Sequence, residues 1–272
     1  MEWNENTTSE EAQKYHEGFK STIGQYIDVS EQQPVTESVR FDKSVFILDS
    51  GCGSGRYLKK TSSEQSFVGL DISLEMLKVA KNELKNGFFV AGELEYLPFK
   101  DNVFDEIICV RVLQHIRDQQ KAINELSRIC KKGGFLTVLS LNSWTLHCLY
   151  KNFRMSSFMN FIDKNAGKLL SKKTANALGL TKWDFEYDNY CSLPELENML
   201  KKARFQITEK KGGTIGSQWM LNYFYTGAAL ERYFPKLLKS YFNTCLFLEK
   251  KLSSAVPFNY FMDKVIVRGQ KK

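Results

Sequence analysis

The chain has 272 residues, of which 43% are hydrophobic and 25% charged, enough to bury one good-sized core; a single domain with an insertion is expected rather than two equal domains. Residues 1–11 are acidic and polar, and no apolar run is long enough to span a bilayer, so neither a secretory signal nor a transmembrane segment is expected and the cytoplasm is the default location. Six cysteines without a C-x-x-C pair, together with three histidines, indicate neither a disulfide framework nor a metal site. The net charge of +7 is uneven: residues 1–150 carry 17 Lys+Arg against 21 Asp+Glu, and residues 151–272 carry 21 against 10. A basic second half could attract nucleic acid, an anionic substrate or an anionic membrane surface, or could simply keep the protein in solution.

Ala12, Tyr15, Phe19, Ile23 and Tyr26 recur at helical spacing and predict one helix over residues 8–27. Residues 28–43 lack periodicity and are expected to form a connecting loop. Residues 45–48 are a short apolar run that reads as a buried parallel strand, with Asp49 at its end. Gly51, Gly53 and Gly55 follow around Cys52. Three glycines at alternate positions strip a turn of side chains, permit φ > 0 and let a ligand lie against main-chain N–H groups. The spacing misses the dinucleotide fingerprint, because Arg56 stands where that pattern has its last glycine. A helix is expected to start near Arg56. The second strand, residues 66–70, ends in Asp71, a carboxylate able to accept hydrogen bonds from both hydroxyls of a ribose. Acidic residues at two successive strand ends suit a nucleoside with a positively charged tail better than a pyrophosphate.

Ser73 caps a predicted helix through residue 86, and residues 88–91 form a third strand followed by Gly92, Glu93 and Leu94. Residues 104–110 are the fourth and central strand, with Arg111 at the carboxyl end that faces the ligand crevice of open α/β sheets. A helix begins near Asp118 and carries Ala122, Ile123, Leu126 and Ile129; Lys131, Lys132 and Gly133 are expected to close it, with the cations at its negative end. Residues 135–141 are strand five. Ser192-Leu-Pro-Glu195 is a capping box that opens a helix to Ala203. Residues 205–210 and 265–268 are strands six and seven, separated by an aromatic-rich stretch, residues 217–260, whose spacing favours helical packing over a binding surface.

Leu48-Asp-Ser-Gly-Cys-Gly-Ser-Gly, Val68-Gly-Leu-Asp-Ile-Ser, Gly92-Glu-Leu-Glu-Tyr-Leu-Pro-Phe, Phe104-Asp-Glu-Ile-Ile and Lys132-Gly-Gly-Phe-Leu come in the order and spacing of one family. Together they resemble the class I S-adenosylmethionine-dependent methyltransferases, and most of all the group with the type 11 methyltransferase domain. The close resemblance covers about residues 40–142. It implies an α/β fold with a Rossmann-like, seven-stranded, mostly parallel sheet, helices on both faces, an antiparallel last strand and helical lid insertions. The implied parts are residues 1–43 (N-terminal helix and connecting loop), 44–142 (cofactor-binding core), 143–191 (lid) and 192–272 (the rest of the sheet with the insertion at 217–260). An N-terminal helix of this kind can close over the cofactor through Tyr15, His16 and Phe19.

The implied cofactor is S-adenosyl-L-methionine. The residues implied to bind it are Asp49, Gly51, Cys52, Gly53 and Gly55 in the first turn, and Asp71 with Ile72 after strand two. Glu93 stands where the family usually has an Asp receiving the adenine amino group, with the Leu94 N–H facing the ring and Arg111 contributing backbone contacts. His115 lies in a segment that resembles the family's "LHH", with Gln114 in place of the first His. His115 and His147, just past strands four and five, are the candidate catalytic groups, because an imidazole titrates in the useful range. The expected reaction is methyl transfer to an O, N or C atom of a small or medium-sized metabolite. The alternative is a tRNA wobble-uridine methyltransferase that uses the basic second half. A protein or lipid methyltransferase ranks below both, and a cofactor-binding partner subunit is the non-enzymatic alternative.

Overall fold

The structure, a computed structural model, describes residues 6–60, 65–144, 189–213 and 235–272. Two helices open the chain, α1 (Ser9–Gly18) and α2 (Thr22–Ser38), where the sequence predicts one helix and then a loop. The division has a local cause. Ser21 Oγ accepts the Gly24 N–H and starts a second helix, and a Cβ at Gly24 would lie 2.1 Å from the Gly18 oxygen, so only glycine permits so tight a turn. Past residue 27 the buried face of α2 carries Ser30, Glu31, Val35 and Val39, a mixture of polar and apolar groups with no hydrophobic period to read. Pro34 removes one N–H without ending the helix, and the Thr36 and Ser38 hydroxyls bond back to the Gln32 and Pro34 carbonyls.

Seven strands form one sheet: β1 (Ile47–Ser50), β2 (Phe67–Asp71), β3 (Phe88–Ala91), β4 (Phe104–Val110), β5 (Cys130–Leu141), β6 (Phe205–Gly213) and β7 (Lys264–Lys271). Their order is β3-β2-β1-β4-β5-β7-β6, with β4 at the centre, β1 to β5 mutually parallel and β7 antiparallel to both its neighbours. Four further helices are described: α3 (Leu74–Glu83), α4 (Gln119–Ile129), α5 (Leu193–Lys202) and α6 (Pro235–Leu252). Successive strand residues point to opposite faces, and the core divides accordingly. Ile107, Cys109, Leu136, Val138, Val265 and Val267 pack on one face with α4 and α5, while Ile108, Val110, Leu139 and Ile266 pack on the other with Val35 of α2 and Leu77 of α3. Each fully buried Leu, Ile or Phe contributes roughly 1.5–3 kcal/mol, so this two-faced pattern is what fixes the layers.

Two local expectations are corrected. Among the described residues the short helix expected near Arg56 is only a 3₁₀ turn, Leu58–Lys60. Lys131 does not face the end of α4, because β5 already begins at Cys130, and Lys131 Nζ pairs with both Asp105 oxygens at 2.9 Å. The cation at that helix end is Lys271 of β7, whose Nζ donates to the Ser127 and Cys130 carbonyls at 2.7 Å each. Within residues 217–260, α6 buries Leu238, Phe242 and Cys245 against Tyr26, whose ring stacks on Phe242 at 4.2 Å. The proposed lid over residues 143–191 falls largely on 145–188, outside the described residues, as do 214–234.

Candidate active site

The chain leaves β1 toward β2 and β3 on one side and returns to β4 on the other, so the carboxyl ends of β1 and β4 flank the point where the strand order reverses. Open α/β sheets bind ligands at such a point. Here a cavity of about 240 Å³ is lined by Gly51 and Gly53 after β1, Asp71 and Ile72 after β2, Glu93 and Leu94 after β3, and Val110, Arg111, Val112, Gln114 and His115 after β4. Tyr15 of α1 and Met76 of α3 close its sides.

The glycine turn holds its shape through the neighbouring strand. Gly51 and Cys52 donate their N–H groups to the Leu70 carbonyl at 2.7 and 2.9 Å, and Gly53 N–H reaches Asp71 Oδ2 at 2.8 Å. Gly51 has φ +86°, and a Cβ there would lie 2.1 Å from Val112 Cγ2, so both conformation and space demand glycine. Asp71 Oδ1 accepts the Ser73 N–H at 2.9 Å, which ties the carboxylate to the start of α3. Burial raises the Asp71 carboxyl above its ordinary range, against the pull of these backbone N–H groups.

Of the residues expected to bind the cofactor, Gly51, Gly53, Asp71, Ile72, Glu93, Leu94 and Arg111 line the cavity together, and Asp49, Cys52 and Gly55 lie behind it. Asp49 is buried beneath the turn, with Oδ2 lacking a hydrogen-bond partner. Burial pushes its carboxyl up to about 7, Asp71 adds to the shift and Arg56 opposes it. Cys52 is a buried thiol, and its sulfur would meet a Cβ at Gly69 at 2.9 Å. Gly55 gives room to Leu84, whose Cδ1 would lie 2.7 Å from a Cβ there. These three shape the turn from below.

His115 lines the cavity at the end of a 3₁₀ turn, Leu113–His115. Its Nε2 lies 3.3 Å from the Gln114 amide nitrogen, and burial, then Arg111, hold the imidazole below its ordinary pKa. His147 lies outside the described residues. Tyr15 takes the covering position expected of α1, whereas His16 turns to Glu83 at 3.7 Å and Phe19 lies under the Arg56 guanidinium at 3.6 Å.

The sequence reading missed Glu31. From α2 this wholly buried carboxylate receives Lys264 Nζ at 2.8 Å, Arg56 Nη2 at 3.2 Å and Arg111 Nη1 at 3.2 Å. Burial alone would raise its pKa, but Lys264, Arg111 and Arg56 together hold it well below the usual carboxylate range. The buried positions past residue 27 mix polar and apolar groups, so no period in the sequence marked it. No group of three or more His, Cys, Asp or Glu able to hold a metal ion occurs among the described residues.

Residues 48–138 match the family model described as "Methyltransferase domain". The chain is 32% identical over 173 residues to the malonyl-[acyl-carrier protein] O-methyltransferase of Buchnera aphidicola, covering 59% of this chain and 70% of that protein. It is 29% identical over 189 residues to the demethylmenaquinone methyltransferase of Staphylococcus carnosus, covering 67% of this chain and 76% of that protein. A solved S-adenosylmethionine-dependent methyltransferase from Thermotoga maritima shares the fold over 97% of both chains, with a TM-score of 0.57 at 19% identity. With this fold, and with sequence identity that extends over most of characterised relatives, the chain belongs to the class I S-adenosylmethionine-dependent methyltransferases.

Proposed function

We propose that the protein methylates an O, N or C atom of a small or medium-sized metabolite bound at the β4 side of the cavity, with S-adenosylmethionine held across the β1, β2 and β3 ends. The observation that carries this reading is the convergence of Gly51, Gly53, Asp71, Glu93, Leu94 and Arg111 on one cavity at the switch point of the sheet. In this reading Asp71 accepts the ribose hydroxyls, Glu93 the adenine amino group, and the Leu94 N–H meets the ring. Asp49, whose Oδ2 lacks a partner, would supply negative charge beneath the methionine end of the ligand, and Arg111 would add backbone contacts. These residues suit a cationic nucleoside: acidic groups stand where hydroxyls and positive charge would lie, and the glycine turn leaves room for backbone approach.

When bound, S-adenosylmethionine supplies an electrophilic methyl group on a sulfonium. The chain's own task is to align an acceptor, exclude water and, where the acceptor requires it, receive a proton. His115 is suited to the last of these, because burial and then Arg111 lower its pKa and so favour the imidazole that can accept a proton. Relatives whose names state an acceptor act on malonyl-[acyl-carrier protein] and demethylmenaquinone, which supports a metabolite-linked acceptor here. We place the enzyme in the cytoplasm as part of the same reading; none of the described helices is long and apolar enough to cross a membrane.

Transfer of a labelled methyl group from S-adenosylmethionine into cell extract, followed by separation into small-molecule, RNA, protein and lipid fractions, tests this function. Label in the small-molecule fraction is expected. Label confined to RNA would overturn the reading.

A further inference from the structure

The charge of the cavity is divided. Asp71, Glu93 and Glu95 line its nucleoside side, and Arg111 is the one Lys or Arg among the described lining residues. The Arg111 backbone is left-handed, φ +57°, and its N–H is fixed on the Leu139 carbonyl at 2.8 Å. A non-glycine residue held there is strained, and strain of this kind clusters at ligand sites. The side chain is 37% exposed and, among the described residues, makes one hydrogen bond, from Nη1 to Glu31 Oε1 at 3.2 Å. A guanidinium has five N–H donors, so the edge formed by Nε and Nη2 remains for a ligand.

Glu31 explains why that edge is held in place. The carboxylate is wholly buried and shared by three cations from three parts of the chain: Arg56 after the glycine turn, Arg111 after β4 and Lys264 at the start of β7. Arg56 has a second partner in Asp28 at 2.7 Å, and Lys264 is 3% exposed. Of the three, only Arg111 reaches the cavity wall, with its share of one distributed negative charge. An anion on the nucleoside side would face Asp71 and Glu93, whereas beside Arg111 it meets a planar cation suited to two parallel hydrogen bonds.

We propose that Arg111 reads an anionic group on the methyl acceptor, a carboxylate or phosphate, and that Glu31 is the positioning residue that holds its guanidinium at the cavity wall. The assignment rests on the reading of this cavity as the methyl-transfer site and narrows it to anionic acceptors.

The test follows the Arg111 side-chain ¹⁵N resonances in the full chain, saturated with S-adenosylhomocysteine and titrated with inorganic phosphate or acetate. The expected result is a saturable shift in the natural chain and, with phosphate binding followed by calorimetry in the variants, binding lost in Arg111→Gln but retained in weaker form in Arg111→Lys. Glu31→Gln should weaken phosphate binding at least tenfold, and Glu31→Asp, which keeps the charge, should recover part of it. Should Glu31→Gln fail to fold, the Arg111 variants decide. Absence of a saturable shift in the S-adenosylhomocysteine complex overturns the proposal. A shift present with 5′-methylthioadenosine, which lacks the methionine carboxylate, and absent with S-adenosylhomocysteine would assign the Arg111 edge to the cofactor and equally overturn it. Failure of both nucleosides to bind would instead overturn the reading of the cavity itself.

Discussion

Glu31 and Glu106 are both wholly buried carboxylates neutralised by basic side chains, and they sit toward opposite ends of β4. The cluster around Glu106 is closed at its buried cation, Arg268, and lies away from the cavity lining, although Arg40 is 52% exposed. Arg268 meets it with a two-bonded fork at 2.9 and 2.8 Å, spends a further donor on Thr137 Oγ1 at 2.8 Å and lies over the Phe135 ring at 4.1 Å, while Arg40 Nε adds a bond at 2.7 Å. The cluster around Glu31 is open. Each of its cations makes one contact with the carboxylate, and Arg111 keeps unspent donors beside a cavity. Buried charge by itself therefore says little about function. What separates scaffold from site is whether the donors are already satisfied.

The largest expected effect breaks the closed cluster. Glu106→Gln leaves Arg268 buried without its counter-ion and should cost about 3–5 kcal/mol in urea unfolding, with S-adenosylhomocysteine affinity unchanged in the protein that remains folded. A loss below about 1 kcal/mol would erase the distinction between the two clusters. Next comes the glycine turn. Gly51→Ala places a Cβ against Val112 at φ +86°, so cofactor affinity should fall at least about tenfold, and Val112→Ala in the same chain should restore part of it.

A smaller effect, graded with pH, comes from Asp49, whose carboxyl is pushed up to about 7. A raised folded-state pKa means that its contribution to stability is full below the unfolded value of about 4 and is lost as pH rises through about 7. A cationic ligand favours the ionised form, so cofactor affinity should move the other way and rise from about pH 6 to 8. Thermal unfolding and calorimetry over that range check both signs, and Asp49→Asn should flatten both profiles. The smallest effect lies at the start of α5: Ser192→Ala removes its capping box and should cost about 1 kcal/mol without altering cofactor binding.

Much of the first half of the sheet was legible because its strands are short, largely apolar runs. β3 and β4 have the bounds expected of them, and Asp71, Glu93 and Arg111 meet at one cavity as their places at strand ends imply. The other half was less legible for physical reasons. The buried face of α2 is half polar, so Glu31 left no periodic signal. Lys271 caps α4 from the far end of the chain, a partnership no local pattern contains. At Arg111 the position could be read, but its left-handed backbone and its bond to Glu31 depend on tertiary contacts. Gly55 illustrates the converse: a motif glycine whose requirement is a left-handed backbone, φ +77°, and packing against Leu84, not approach to the cavity.

The proposed anchor of the cofactor in this cavity is the carboxylate of Asp71, at the end of β2. Calorimetric titration of S-adenosylhomocysteine into the natural chain and into Asp71→Ala tests it most directly. One-site binding in the first and a loss of about a hundredfold or more in the second is the predicted result, the order of about 3 kcal/mol expected when a charged hydrogen-bonding partner is removed. Near-equal binding by the two proteins would contradict the claim.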